Sequence, residues 1–558
     1  MKSKLLILSV LSLSFVMQTN TVQADPTLLP PIKQWQGKSL ELVKDKSDKW
    51  QTQFEKSNML STPNYDQSIK YIKALAKSDK QFNLTSIGKS PQNRDIWMLI
   101  ASKDGAKTPE QLQKNKKPTL FIQAGIHAGE IDGKDAGFML LRDISKNGKG
   151  HLLDKVNLLF IPIFNVDGHE RSSPHNRVNQ RGPTNMGWRT TAQNLNLNRD
   201  FAKADTPEMQ ALISTINKWQ PTLYLDIHVT DGEDYQYDIT YGYNGEHAYS
   251  PNISQWLDTE LTPVINSELK KNGHLGGPLT FGIDNKDFAK GLFGWTASPR
   301  YSNGWGDARH LPTILIENHS LKPYFQRVLG TYVFLETVIN KLATDGDDLI
   351  AATEKDIKQK HKTLPMAWSA DTENPEYMDF QGMEYQQATD KLTGIKYVKW
   401  TGKPKTYNKL PIFWARKPSV EVQVPEFYYV PPQHLEVIRL TNQGIQYKTL
   451  KHPLKLQVTE LTAKDYSFGK VPFEGHLTAD AKFDTNKVTK TLPAGTIKIS
   501  TKQNLGTLAV TLLDPRAPDS YFKWGFFNQM FQQTEYIESY AMIPLAHKML
   551  NNDPKLKQ

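Results

Sequence analysis

The sequence predicts an α/β fold, in which a mixed, mostly buried β-sheet is flanked by helices and a smaller β-rich module follows at the C-terminus. Four strongly apolar runs, each followed by polar or glycine-rich residues, indicate strands at 118–123, 156–164, 221–227 and 312–316. Apolar strands that alternate with helical segments are typical of a sheet covered on both faces. After residue 343 the runs become shorter and more β-like, which indicates the separate module.

The elements around these strands follow from the spacing of apolar residues. Residues 66–77 place their apolar side chains on one face of a predicted helix, and residues 84–102 predict two strands joined by a turn. Apolar residues recur at intervals of four and three from Val328 to Leu342, as on one face of a helix. We therefore expect a helix to close the main domain near residue 343.

The chain is divided on these grounds into five segments: 1–24, a signal peptide; 25–61, a helical N-terminal extension; 62–343, the main α/β domain; 344–375, a charged and polar linker; and 376–558, the β-rich module with a helical tail. Within the module, β-like runs occupy 419–424, 435–440, 495–500 and 505–513, and the helical tail covers about 526–550.

The N-terminus has the pattern of a secretory signal peptide. Lys2 and Lys4 precede an apolar run from Leu5 to Val16, and Ala24 provides a small residue at the expected cleavage point. The run is too short to cross a bilayer. We expect an exported protein, periplasmic or secreted, from a bacterium, with no membrane span in the remaining chain.

The composition excludes whole classes of chemistry. Among 558 residues there is no cysteine, so disulfides, thiolate metal sites and cysteine nucleophiles are excluded. A metal must therefore be bound by His, Asp or Glu. The formal net charge of +10 is not concentrated in a nucleic-acid-binding motif, and we expect no nucleic-acid partner.

Metal-binding and acid/base residues follow three of the predicted strands. His127 and Glu130 lie in a glycine-rich turn after the first strand, His228 follows another, and Glu317 directly follows the last. Ligands bind at the carboxyl ends of strands in open α/β sheets, so these side chains should meet at one edge. Two imidazoles and one carboxylate form a catalytic zinc site, with one coordination position left for water. Glu317 would then be free to take a proton from that water.

The stretch from about 62 to 343 resembles the zinc carboxypeptidase family, peptidase family M14. Seven features appear in the family's order: Gly88-Lys89-Ser90 with Arg94-Asp95-Ile96-Trp97, His127-Ala128-Gly129-Glu130, Asn165-Val166-Asp167-Gly168, Trp188-Arg189, Asn198-Arg199-Asp200-Phe201, His228 and Glu317. The resemblance implies one Zn²⁺ per chain, bound by His127, Glu130 and His228. It also implies hydrolysis of the C-terminal peptide bond by a zinc-activated water, with Glu317 as general base.

The resemblance assigns further roles to residues of the same region. Arg189 would stabilise the oxyanion, and Asn198 and Arg199 would receive the free C-terminal carboxylate of a peptide substrate. Arg177 and Tyr301 are further candidates for substrate contact. The chain has Asn196 where the family often has an Asp that supports a zinc ligand, and Asp226 is an alternative supporting residue.

Some alternatives stay open at this point. The same fold could act on peptidoglycan stem peptides, or as an amidase or deacylase, and a non-catalytic binding protein on a peptidase scaffold is a third possibility. Residues 231–238 predict a polar loop at the rim of the site, with a calcium-binding loop as the alternative. The sequence leaves the oligomeric state unknown.

Overall fold

A computed structural model describes residues 29–285, 287–434 and 439–557. The predicted signal peptide, residues 1–24, lies outside the described residues, as does most of the strand predicted at 435–440. None of the described helices is long and apolar enough to cross a membrane.

The main domain is built on an eight-stranded mixed sheet that contains all four strands predicted from the apolar runs. Its strand order is β1-β2-β4-β3-β5-β10-β6-β7, and the central four strands, β4, β3, β5 and β10, run parallel. The strands of the main domain, in chain order, are β1 Phe82–Lys89, β2 Asp95–Ala101, β3 Thr119–Ala124, β4 Asn157–Ile161, β5 Leu223–Val229, β6 Ile239–Gly242, β7 Gly276–Pro278, β8 Thr280–Gly282, β9 Leu292–Gly294 and β10 Thr313–Asn318. Strands β8 and β9 lie outside the eight-stranded sheet.

Both faces of this sheet are buried. Neighbouring residues of a strand point to opposite faces, so their hydrophobic clusters show what covers each face. Leu120 and Ile122 of β3 belong to one hydrophobic cluster, and Phe121 belongs to another. The same alternation holds in β5, where Leu225 and Tyr224 are assigned to different clusters. The prediction of a sheet covered on both faces is confirmed.

Helices cover the two faces. They are α1 Gln53–Lys56, α2 Tyr65–Lys77, α3 Pro109–Asn115, α4 Asp132–Lys146, α5 Val166–Glu170, α6 Pro207–Trp219, α7 Pro251–Trp256, α8 Thr262–Lys271, α9 Ser302–Ala308 and α10 Tyr324–Lys358, with shorter turns at Lys38–Leu42, Gly150–Leu153, Leu197–Arg199, Leu257–Leu261 and Phe288–Lys290. Helices α4 and α10 contribute to one cluster and α6 to the other. In the predicted helical extension, the described residues form only α1 and the Lys38–Leu42 turn, so most of that segment is irregular.

The linker predicted over 344–375 is occupied by regular structure. Helix α10 continues to Lys358, since Leu349 and Asp356 are buried, and Asp356 accepts hydrogen bonds from the backbone N–H groups of Asn252 (3.1 Å) and Ile253 (2.9 Å) at the start of α7. A strand begins at Thr363. The charged and polar segment predicted as a linker thus contains helix and strand, and its charged residue Asp356 serves a structural contact, while the division of the chain into domains stays a prediction.

The C-terminal module is β-rich, as predicted. Its strands are β11 Thr363–Ala370, β12 Glu376–Thr389, β13 Lys396–Gln423, β14 Phe427–Val430, β15 Tyr447–Thr449, β16 Leu454–Phe468, β17 Ala479–Leu492 and β18 Ile497–Ser500. Strand β13 pairs with β9 through Ile412–Trp414, so the sheet of the module continues into the main domain. Strands β16 and β17 form a separate two-stranded hairpin.

The described part of the module contains the helices α11 Leu440–Gln443, α12 Gly506–Leu513 and α13 Ser539–Asn552. The strand predicted at 505–513 is therefore wrong, since these residues form α12, most of whose side chains are buried. Leu440, the described end of the run at 435–440, begins a helical turn. The helical tail is confirmed at 539–552, while 3₁₀ turns cover Asn528–Phe531 and Pro554–Lys557.

Candidate active site

Three buried side chains converge at the carboxyl ends of β3 and β5. His127 and Glu130 lie in the turn between β3 and α4, and His228 lies near the end of β5. One ligand atom from each lies within 4.8 Å of the others, and the three residues are at most 2% exposed. The edge of the sheet predicted to hold a metal therefore brings together the three predicted ligands.

The hydrogen bonds around the histidines determine which ring nitrogen is free. His127 Nε2 lies 2.9 Å from Asn196 Oδ1, which also accepts the backbone N–H of Asn198 at 2.9 Å. His228 Nε2 lies 2.9 Å from Asp226 Oδ2. Since both partners are acceptors, each Nε2 carries a hydrogen and each Nδ1 is directed toward Glu130, at 3.0 and 3.1 Å.

This arrangement fits a bound zinc ion. Burial lowers the pKa of His127 to about 4, so its ring is neutral and presents the Nδ1 lone pair to the Glu130 carboxylate. A lone pair facing a carboxylate is repulsive unless a cation lies between them. Burial alone would lower the pKa of His228, but Asp226, Glu130 and Glu317 together outweigh it and hold the pKa well above its usual value, so a metal bound there displaces a proton. Acceptors behind both ligand histidines are typical of zinc sites.

Two arginines contact the carboxylate of Glu130. Arg177 Nη1 lies 2.9 Å from Glu130 Oε1, and Arg189 Nη1 lies 3.1 Å from the same oxygen. Arg189 is 38% exposed and lines the cleft. Arg177 is buried and also pairs with Asp231 at 3.2 Å, so it lies behind Glu130. The structure places Arg189 where a substrate can reach it, while Arg177 is not among the residues that line the cavity.

Glu317 lies next to His228 in the parallel pair of β10 and β5. Its Oε2 atom is buried and has no hydrogen-bond partner among the residues that the structure describes. Burial raises the pKa of its carboxyl to about 8, with Glu130 and Asp231 adding to the effect and His228 opposing it. An unengaged carboxyl is thus available beside the ligand group.

The cavity over these residues has a volume of about 360 Å³ and contains four of the five predicted substrate-contacting or oxyanion-stabilising residues. Its lining is His127, Glu130, Arg189, Asn198, Arg199, Val229, Asp231, Phe281, Phe293, Trp295, Tyr301, Leu315 and Glu317. Of the polar loop predicted over 231–238, Asp231 lines this cavity, while Asp234 and Asp238 are buried.

Arg199 is positioned as an anion receptor. Its Nη1 donates to the carbonyl of Asn198 at 2.7 Å, and its guanidinium lies 4.5 Å from the Tyr301 ring centre. Within the described part of the chain, no carboxylate lies within 4.0 Å of this guanidinium, in contrast to Arg177 and Arg189. Burial lowers the pKa of the Arg199 guanidinium, an indication of a desolvated cation.

Comparison with known proteins identifies the family to which this geometry belongs. The sequence model of the zinc carboxypeptidase family, peptidase M14, matches residues 68–273, a stretch that includes His127, Glu130 and His228. The chain contains an M14 zinc carboxypeptidase domain. It is accordingly an enzyme of the M14 metallocarboxypeptidase class.

The relatives of this zinc carboxypeptidase include eukaryotic proteins. Carboxypeptidase 2 of Trichophyton rubrum is 20% identical over 490 residues, which cover 84% of this chain and 85% of that protein. Carboxypeptidase D of Homo sapiens is 30% identical over 141 residues, 24% of this chain and 9% of that protein. The crystal structure of carboxypeptidase A from Helicoverpa armigera is 16% identical, with a TM-score of 0.38, over 57% of this chain and 80% of that one.

Sequence reasoning missed part of the site of this zinc carboxypeptidase. Phe281, Phe293 and Trp295 line the cavity from the small sheet of β8 and β9, where no motif signalled them. Leu315 could have been found, since it precedes Glu317 by two residues and side chains alternate along a strand. Glu474 of the C-terminal module, which contacts Asn196, carries no sequence signal.

Proposed function

We propose that this enzyme is a zinc-dependent carboxypeptidase that hydrolyses the C-terminal peptide bond of peptides, with one Zn²⁺ bound by His127, Glu130 and His228. The observation that supports this most strongly is one cavity lined by His127 and Glu130 of the ligand group, by the carboxyl of Glu317 and by the guanidinium of Arg199, which has no carboxylate partner among the described residues. A digest of a peptide library, followed by mass spectrometry, tests it. Products shortened by single C-terminal residues are expected, and internal cleavage would contradict the proposal.

Two charged residues of the cavity, Glu317 and Arg189, have tasks in the chemical step. Bound zinc would supply a Lewis acid that polarises the scissile carbonyl and makes water more acidic. Glu317 takes the proton of the attacking water and returns it to the leaving amine. Arg189, on the open side of the cavity, places a positive charge where the carbonyl oxygen becomes negative, which stabilises the transition state more than the bound substrate.

Asn198 and Arg199 receive the terminal carboxylate in this proposal. A guanidinium can form two parallel hydrogen bonds with a carboxylate, and this one has no competing carboxylate partner among the described residues. We therefore expect peptides with an amidated C-terminus to be hydrolysed with a kcat/KM at least tenfold below that of their free-acid counterparts, because hydrogen bonds to charged groups contribute about 1.5–3 kcal/mol.

Paired peptides that differ only at the C-terminal group make this measurement, and Arg199→Lys provides the protein-side control. The variant keeps the positive charge but cannot form two parallel hydrogen bonds with a carboxylate. It should therefore reduce the difference in kcat/KM between the free-acid and the amidated peptide. Equal rates for acid and amide on the wild-type enzyme would contradict carboxylate recognition.

The cavity also predicts which C-terminal residue is preferred. The rings of Tyr301, Trp295 and Phe281 follow one another away from Arg199, with centroid distances of 4.6 Å and 6.3 Å. Phe293 and Leu315 complete an apolar wall. Besides Glu130 and Glu317, the acidic residue in the cavity lining is Asp231. Its carboxylate lies 3.2 Å from Arg177 and 3.8 Å from Arg189.

We accordingly expect peptides that end in Phe or Leu to have a kcat/KM more than tenfold higher than the same peptides ending in Lys or Asp, because desolvating a charge against apolar walls is costly. A series of peptides that share all other residues measures this. Preference for Lys would mean that Asp231 is available to the substrate, and Asp231→Asn would then abolish it.

Two parts of the proposal extend beyond the site. Export, inferred from residues 1–24, stays a prediction, and the location of the mature chain in cells tests it. Action on peptidoglycan stem peptides uses the same residues, and digestion of purified muropeptides tests that alternative. For a non-catalytic binding protein, the unengaged carboxyl of Glu317 beside the metal ligands would have no use.

A further inference from the structure

The C-terminal module contacts the active site through one end of its hairpin. Residues 469–478, here called the tip loop, join β16 to β17. At its end Phe473 and His476 exchange two backbone hydrogen bonds, of 2.8 and 3.0 Å, around Glu474 and Gly475. Both central residues have positive φ, 49° and 81°. A two-residue turn with positive φ at both positions is a type I′ turn.

Glu474 is an unusual residue for this turn. Asn, Asp and Gly adopt the left-handed region most readily, and other side chains are disfavoured there. A residue held in such a conformation is a reason to ask what its side chain does. Asn would fit the turn better than Glu, so the turn itself does not explain why a glutamate is found at this position.

The carboxylate of Glu474 reaches the loop behind the zinc ligands. Its Oε2 accepts the backbone N–H of Asn196 at 2.7 Å, across 278 positions of sequence. Asn196 in turn holds the Nε2–H of His127 and the backbone N–H of Asn198 through one oxygen. A chain of hydrogen bonds thus runs from the module through Asn196 to a metal ligand and to the carboxylate-binding segment.

The tip loop is held against the main domain by further contacts. His476 Nε2 lies 2.6 Å from Asp205 Oδ2, and the same carboxylate pairs with Lys203 at 3.1 Å and with Arg439 at 2.8 Å. Within the module, Phe473 stacks on Trp524 with 5.8 Å between ring centres, which supports the loop from behind. A Cβ atom on Gly475 would lie 3.4 Å from Leu195 Cδ2, so the turn packs directly beside Asn196.

We propose that Glu474 is a positioning residue of the active site, through which the C-terminal module holds Asn196 in the orientation that fixes His127 for zinc. This inference rests on the proposed zinc site. It gives the module a task in the reaction: without the carboxylate, the backbone N–H of Asn196 loses this partner, and the segment whose side-chain oxygen orients His127 is held less firmly. Partners behind a metal ligand commonly set metal affinity in this way.

The test compares variants that separate the carboxylate from the turn. Glu474→Asn preserves or improves the type I′ turn, because Asn-Gly is its preferred pair, but the shorter side chain withdraws from Asn196. Glu474→Gln keeps an oxygen acceptor at the same reach. Glu460→Asn on β16 is the matched control, since the ion-pair partner of Glu460 among the described residues is the exposed Lys490.

The measurement is the rate at which the zinc-loaded full-length protein loses zinc to excess chelator, with thermal unfolding recorded alongside. We expect E474N to lose zinc about tenfold faster than wild type. This is the lower end of the effect on metal affinity that is usual when a partner behind a metal ligand is removed. E474Q and E460N should lose it close to the wild-type rate, and the unfolding midpoint of metal-free E474N should not fall. With free-acid peptides, E474N should show a raised KM.

Three results would overturn the inference: zinc loss from E474N at the wild-type rate, zinc loss from E474Q as fast as from E474N, or a lowered unfolding midpoint that accounts for the loss. Because chelation is followed without substrate, it is independent of the proposed activity. A protein that binds zinc and hydrolyses no peptide would refute the proposed function, and the zinc-loss comparison would still decide the role of Glu474.

Discussion

Glu317→Gln is expected to lower kcat for peptide hydrolysis about a thousandfold and to leave zinc content unchanged. Glu317 lies outside the ligand group, and its Oε2 has no hydrogen-bond partner among the described residues. The amide has the same shape but cannot take a proton from water, and general base catalysis contributes about 10²–10⁴ in rate. KM should change little, since the substrate carboxylate contacts Arg199 in the proposed mode.

Steady-state kinetics on a free-acid peptide, together with metal analysis, measures this effect. Glu268→Gln is the control for the chemical change, because Glu268 lies on the surface and pairs with Lys271. If E317Q retained activity within a few-fold of wild type at full zinc content, Glu317 could not be the base, and the proton would have to pass through another group of the cavity.

The position of Glu317 shows why much of the site could be predicted from the sequence. The apolar runs of β3, β5 and β10 are long enough to be recognised as buried strands, and the polar residues at their carboxyl ends must meet at one edge of a parallel sheet. His228 and Glu317 are indeed register neighbours. The arrangement follows from topology, and the spacing along the chain is immaterial.

Other contacts could not be predicted, because they depend on packing between distant segments. The sequence marks Arg177 as a candidate for substrate contact, yet its side chain is buried against Glu130. The apolar wall of the cavity is formed by short strands, and β9 is paired with β13 from the C-terminal module. Glu474 contacts Asn196 from the other end of the chain. None of these partners is marked by periodicity or by a local motif.

The wrong secondary-structure predictions have physical reasons of the same kind. Residues 505–513 form a short apolar run, and such a run cannot be assigned to a buried strand or a buried helix by periodicity alone. Helix α12 is buried on most sides, so its sequence lacks the polar face that would have identified it. Past residue 343 the charges on α10 indicated a linker, although Asp356 is buried and caps α7.

The second large effect is expected at Glu130, where one carboxylate serves both the metal and the fold. Its oxygens contact two histidines and two arginines, and Oε2 also accepts the backbone N–H of Val229 at 3.0 Å. In Glu130→Gln the ligand charge is lost, so we expect zinc binding to weaken by at least a hundredfold, beyond the usual cost of losing a partner behind a ligand. Peptide hydrolysis at micromolar zinc should disappear with it.

The same variant should also destabilise the metal-free protein. Arg177 is only 7% exposed, and without Glu130 its remaining ion-pair partner is Asp231, which is largely in solvent. Leaving a buried charge without its partner costs about 3–5 kcal/mol. His127→Gln is the matched comparison, because it removes a zinc ligand whose partner behind the ring is the neutral Asn196. Both variants should lose zinc, but thermal unfolding in chelator should show a lower midpoint for E130Q than for H127Q. Equal midpoints would mean that Asp231 alone compensates the charge of Arg177. The ion pair between Glu130 and Arg177 would then contribute little to the stability of the metal-free protein.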